Sequence, residues 1–64
     1  MTKSEKEMWL TNIVNLSDNI AAALGHETVA FVLQQYGADS IEALKPECYQ
    51  SAFGDLAAIE ANIS

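Results

Sequence analysis

TVAFVLQQYGADSIEAL, running from Thr28 to Leu44, places a helical stripe, a helix stop and a new helix start in immediate succession. Val29, Val32, Leu33 and Tyr36 recur at i, i+3, i+4 and i+7, the spacing that lines one face of an α-helix. Gly37 follows. Glycine takes a left-handed backbone without a Cβ clash, so it suits the position just past a last helical turn. Asp39 or Ser40 is placed to cap a further helix by accepting from its free N–H groups, and Ile41 and Leu44 restart the apolar spacing. Turns this short between helices imply a compact bundle.

Toward the N-terminus, Ser4-Glu5-Lys6-Glu7 has the pattern of a capping box, in which the Ser4 hydroxyl and the Glu7 carboxylate each satisfy a free backbone donor. Trp9, Ile13, Leu16, Ile20 and Leu24 then recur at helical steps, with Leu10, Val14 and Ala21 widening the face. Asn15, Ser17, Asp18 and Asn19 compete for backbone hydrogen bonds, which predicts a break or kink near Ser17. Gly25 ends the element, and His26 to Thr28 lead into a second helix. Phe31 lies opposite that helix's stripe, on the side of Glu27, Gln34 and Gln35. Two arrangements suit it, burial between neighbouring helices or exposure to a partner, and the small size of the domain favours burial.

Toward the C-terminus, Lys45-Pro46 marks a boundary, because proline disfavours helix at the residue before it and fits the first position of the next. Glu47 complements the positive end of that helix. Tyr49, Ala52, Phe53, Leu56, Ile59 and Ile63 form its apolar face, densest around Phe53. Ser51, Gly54, Ala58 and Ala61 form a column of small residues on its other side, which would let a second helix backbone approach closely. The expected architecture is a single all-α domain over residues 1–64. Its three main helices span about 4–24, 27–36 and 46–62, with a short helical turn at about 40–44.

With 64 residues, half of them apolar, the chain is close to the size at which folding buries only about 60% of the unfolded surface. Association with another chain is a common way to bury more, and a homodimer through the small-residue column or through Phe31 is expected. Cys48 is the lone cysteine, so no intrachain disulfide is available. The apolar residues after Lys3 and Lys6 are interrupted by Thr11, Asn12 and Asn15, which is not a signal-peptide pattern, and no run approaches the roughly 20 apolar residues of a membrane span. A cytoplasmic location is expected. The net charge of −6 sets nine acids against Lys3, Lys6 and Lys45, with no basic residue between Lys6 and Lys45. Direct binding to nucleic acid needs cations that displace phosphate counterions, so it is not expected.

His26 and Cys48 are the strongest candidates for nucleophile, base or soft-metal ligand, and neither has a second of its kind. A zinc site needs four such ligands, and a thiol enzyme would require Cys48 to meet His26 in space. Glu60 falls near the centre of the last apolar face, between Leu56 and Ile63. There it needs a partner such as the Trp9 N–H, the Tyr36 O–H or a lysine, unless it reaches water at the end of the helix, which is the simpler expectation. Paired carboxylates, a glycine-rich phosphate loop and a Ser-His-Asp set are missing. The reading is a non-enzymatic chain with no catalytic, cofactor or metal site.

The run Val32-Leu33-Gln34-Gln35-Tyr36-Gly37-Ala38-Asp39-Ser40-Ile41-Glu42-Ala43-Leu44, followed by Tyr49, Phe53, Leu56 and Ile59-Glu60-Ala61, resembles small uncharacterised accessory proteins encoded on bacterial conjugative elements and related mobile DNA. The resemblance covers the C-terminal half and supplies no activity. It implies a bacterial protein that acts on another protein. Together the residues point to a protein–protein interaction or regulatory module, with Phe31, Gln34, Gln35, Ser51, Gly54, Ala58 and Ala61 as the candidate interface. The alternative is an acidic inhibitor that occupies the basic nucleic-acid groove of a host defence or DNA-processing protein. That reading requires Asp18, Glu27, Asp39, Glu42, Glu47 and Asp55 to share a face at phosphate-like spacing.

Overall fold

The computed structural model describes residues 2–63, which form a three-helix bundle: α1 (Lys3–Leu24), α2 (His26–Gln35) and α3 (Tyr49–Ile63). Two single 3₁₀ turns, Ile41–Ala43 and Pro46–Cys48, lie between α2 and α3. α1 starts one residue earlier than the Ser4 pattern predicts. Its cap is Thr2, whose hydroxyl accepts from the Glu5 N–H at 3.1 Å and lies 3.2 Å from the Glu5 carboxylate. Thr2-Lys3-Ser4-Glu5 repeats the same capping pattern two residues upstream, and its use lengthens the helix by about half a turn at no cost in buried polar groups. Residues 2–8 are exposed, so this choice is local and owes nothing to the core.

No break interrupts α1 at Ser17; the helix is continuous from Lys3 to Leu24. Ile13, Ser17 and Ile20 are its buried residues, so the line facing the core runs through the serine, with Trp9, Leu10 and Leu16 packed partly buried around it. Short polar side chains weaken an isolated helix, but here burial of the flanking isoleucines keeps the segment helical. Leu24, the last member of the predicted stripe, is exposed.

Gly25 alone joins α1 to α2. Its backbone, φ 93° and ψ 161°, lies in a region essentially reserved for glycine, and its N–H closes α1 on the Ala21 carbonyl at 2.9 Å. α2 therefore begins at His26, without the lead-in of three residues that the sequence suggests. Its far end is a Schellman motif: Ala38 N–H donates to the Leu33 carbonyl (3.1 Å) and Gly37 N–H to the Gln34 carbonyl (3.0 Å), with Gly37 at φ 73°. Leu33 and Ala38, the apolar pair this motif brings together, are both buried.

Ser40 occupies the position before the first 3₁₀ turn, yet neither its side chain nor that of Asp39 caps it; the Ser40 carbonyl accepts from Ala43 N–H at 3.2 Å. Three residues of 3₁₀ leave too few free N–H groups for a side-chain cap to matter. Lys45, extended at ψ 146°, precedes Pro46 as the proline requires, and the chain tightens through Pro46–Cys48 before relaxing into α3 at Tyr49.

The core consists of Ile13 and Ile20 from α1, Val29, Val32 and Leu33 from α2, Ala38 and Leu44 from the connection, and Tyr49, Ala52 and Leu56 from α3. Phe53 is only half-buried, packed beside this core, so the centre of the α3 face is Ala52 and Leu56 where the sequence suggested Phe53. The Phe53 ring instead meets Trp9 edge to face, with centroids 5.7 Å apart and planes at 75°. Further along the same two helices Asn19 donates to Glu60 at 3.2 Å, so α1 and α3 run in the same direction. α2 returns between these levels, because Tyr36 at its end reaches Asp55 on α3.

Candidate functional site

The residues singled out as a candidate interface are all at the surface. Phe31, Gln34 and Gln35 are exposed on the outer side of α2, and Ser51, Gly54, Ala58 and Ala61 are exposed on α3. Phe31 is 64% exposed, which overturns the expected burial. The reason is topological. α2 packs its Val29-Val32-Leu33 stripe against α1 and α3, and among the described residues no further helix covers its back. A phenylalanine placed opposite the stripe has nowhere to go but solvent.

Gly54 lies within α3, and a Cβ built on it would meet nothing within 4 Å. No packing inside the chain calls for a glycine there, although an exposed glycine in a helix costs about 1 kcal/mol relative to alanine.

Two carboxylates of α3, Asp55 and Glu60, are engaged by side chains of the other helices. Tyr36 donates its phenolic O–H to Asp55, and this hydrogen bond, followed by partial desolvation and the nearby carboxylate and Cys48, raises the Tyr36 pKa above its ordinary value. Glu60, half-buried, accepts from Asn19. The Tyr36 hydroxyl, which the sequence offered as a partner for Glu60, is thus committed elsewhere; Glu60 stays partly exposed to water and in addition meets Asn19 of α1. Asn19 was legible only as a helix-weakening residue; its pairing with Glu60 spans two helices and has no local signal.

His26 and Cys48 do not come together. Cys48 precedes α3 close enough to Tyr36 to influence it, whereas His26 opens α2 ten residues before Tyr36, about 15 Å away along the helix. His26 is exposed and Cys48 is a half-buried free thiol at the edge of the core. Among the described residues no group of three or more His, Cys, Asp or Glu is arranged to hold a metal ion, and no pocket opens. Among the described residues no helix is long and apolar enough to cross a membrane. No match was found among family models, curated proteins or solved structures.

Proposed function

We propose that the protein is a non-enzymatic interaction module of bacterial or mobile-element origin that regulates a protein partner, docking it on the outer face of α2. The observation that carries this reading is Phe31, a large aromatic ring 64% exposed at the middle of a helix and flanked by the exposed Gln34 and Gln35. Exposed aromatics contribute most to binding when a partner covers them, and Phe31 does nothing for the core. The test is site-specific photocrosslinking in the native host. A photoreactive phenylalanine at position 31 should capture one partner, and the same group at exposed Gln50 should not. Equal, diffuse labelling from both positions would remove the reading.

The acidic-inhibitor alternative has less support. It requires a free row of carboxylates, but Asp55, one of that row, accepts from Tyr36. The remaining five acids of the proposed row, Asp18, Glu27, Asp39, Glu42 and Glu47, lie on five different segments of the chain.

Self-association through α3 has one observation in its favour, the open space over Gly54. Sedimentation equilibrium tests it. A dimer that Gly54→Leu converts to monomer assigns the column, and a wild type that stays monomeric at several hundred micromolar dismisses it.

A further inference from the structure

One row of side chains on the outside of α2 is symmetric about its own centre. Glu27, Phe31 and Gln35 recur at i, i+4 and i+8, so they form a single ridge along the helix, and all three are exposed. The adjacent ridge, His26, Ala30 and Gln34, is exposed as well and drops to a methyl group beside Phe31. Val29, Val32 and Leu33 are buried on the other side, so these two ridges form the outward surface of the helix.

The chemistry of the Phe31 ridge matches itself in one orientation. Glu27 and Gln35 stand equally far from Phe31 along the chain, one before it and one after. When a second α2 lies antiparallel with its Phe31 against the first, Glu27 of each copy faces Gln35 of the other. The Gln35 amide N–H donates and the Glu27 carboxylate accepts, at both ends of the row, in an isologous contact. A parallel arrangement sets Glu27 against Glu27 instead. The net charge of −6 opposes the approach of a second copy, but Glu27 is the only carboxylate of α2. Antiparallel packing holds the two Glu27 side chains about 12 Å apart, beyond the Debye length of about 8 Å at physiological salt.

From this symmetry we infer that the protein covering Phe31 is a second copy of the chain, docked α2 against antiparallel α2. The two Phe31 rings pack at the two-fold axis, each in the shallow groove beside Ala30 of the other copy, and a Glu27–Gln35 pair closes each rim. The inference rests on the interaction reading above, that a protein docks on this face, and adds the identity of that protein. An unrelated partner would need a matching row of its own, whereas a second copy already carries it. The ten-residue helix presents a strip of about 15 Å by 10 Å, well below the roughly 800 Å² per partner of a standard interface. The dimer is accordingly weak, with a dissociation constant on the order of 100 micromolar.

Sedimentation equilibrium of the full chain, from about 10 micromolar to about 1 millimolar, is the experiment, with circular dichroism to establish that each variant is folded. The wild type should pass from monomer to dimer over this range, and Phe31→Ser, at a position outside the core, should stay monomeric throughout. Gln35→Lys, which sets a cation against each Glu27, should tighten the dimer several-fold at low salt and lose that gain at high salt, while Gln35→Glu should weaken it several-fold. Glu27→Lys combined with Gln35→Glu reverses the pair and should dimerise as Gln35→Lys does. Gly54→Leu should change nothing. A dimer that survives Phe31→Ser, that responds alike to Gln35→Lys and Gln35→Glu, or that Gly54→Leu abolishes would overturn the inference, because its contact would lie elsewhere or run in another direction. A wild type that stays monomeric would overturn it too. In that case a photoreactive phenylalanine at position 31 that captures a different protein in the host leaves the interaction reading standing, and one that captures nothing removes both.

Discussion

The phenol of Tyr36, the residue that closes α2, donates to the carboxylate of Asp55 in the middle of α3 and so ties the end of one helix to the side of another. The carboxylate favours the protonated phenol, first by the hydrogen bond it accepts and then by repulsion of a phenolate. Because the folded-state pKa lies above the unfolded value of about 10, the stabilisation is fully present below pH 10 and is lost as pH rises through the folded-state pKa. Spectrophotometric titration of phenolate should show Tyr36 ionising later than a free tyrosine, as the difference between wild type and Tyr36→Phe. In Asp55→Asn, which keeps an acceptor but removes the charge, the ionisation should return toward the ordinary value. An unchanged titration in Asp55→Asn would mean that the carboxylate does not govern the phenol.

Gly25 and Gly37 should respond differently to asparagine. Neither has an atom within 4 Å of a built Cβ, so the cost of substitution is backbone strain alone. Gly37, at φ 73°, sits in the left-handed cap position that asparagine tolerates, whereas Gly25, with ψ 161°, lies outside it. Gly37→Asn is expected to cost less than about 1 kcal/mol and Gly25→Asn about 1–3 kcal/mol, read from urea midpoints. Gly37→Val should be worse than Gly37→Asn, since a branched Cβ suits a left-handed backbone least.

Ser17→Ala should stabilise the fold. Ser17 is 4% exposed, and its Oγ has no hydrogen-bond partner among the described residues. Removing the hydroxyl relieves an unpaired buried polar group and gains helix propensity, together about 1–2 kcal/mol. A thermal melt should rise by several degrees, about 4–8 °C per kcal/mol for a chain of this size. A lowered midpoint would show that the hydroxyl is satisfied in solution.

On α3, Leu56→Ala should cost more than Phe53→Ala, although phenylalanine is the larger residue. Leu56 is fully buried and its truncation leaves a cavity, at about 2–5 kcal/mol, enough to unfold much of so small a domain. Phe53 is half-buried, and its loss removes partial burial and the edge-to-face contact with Trp9, the latter contributing about 0.5–1.5 kcal/mol. Denaturant unfolding of both variants ranks the two positions, and adding Trp9→Ala and Trp9→Ala/Phe53→Ala completes the cycle that isolates the ring pair.

What the sequence determined by itself was the punctuation of the chain. Gly25, Gly37 and Lys45-Pro46 fix where helices stop, because a positive φ or a missing N–H acts on the residues next to it and needs no tertiary partner. The stripe Val29, Val32, Leu33 likewise identified the buried side of α2, since apolar spacing records which face a helix turns inward. The Ser4 with Glu7 pattern read from the sequence is not the one used; Thr2 with Glu5, two residues upstream, caps α1 instead. Only the tertiary structure decided what the other faces meet. Phe31 is exposed because three helices leave the back of α2 uncovered, and Ser17 is buried because the line of α1 that faces α2 and α3 runs between the two isoleucines. Asn19 finds Glu60, and Tyr36 finds Asp55, across 41 and 19 residues of chain. Such pairings depend on the direction and rotation of whole helices, which follow from packing the complete core and from no single stretch of residues.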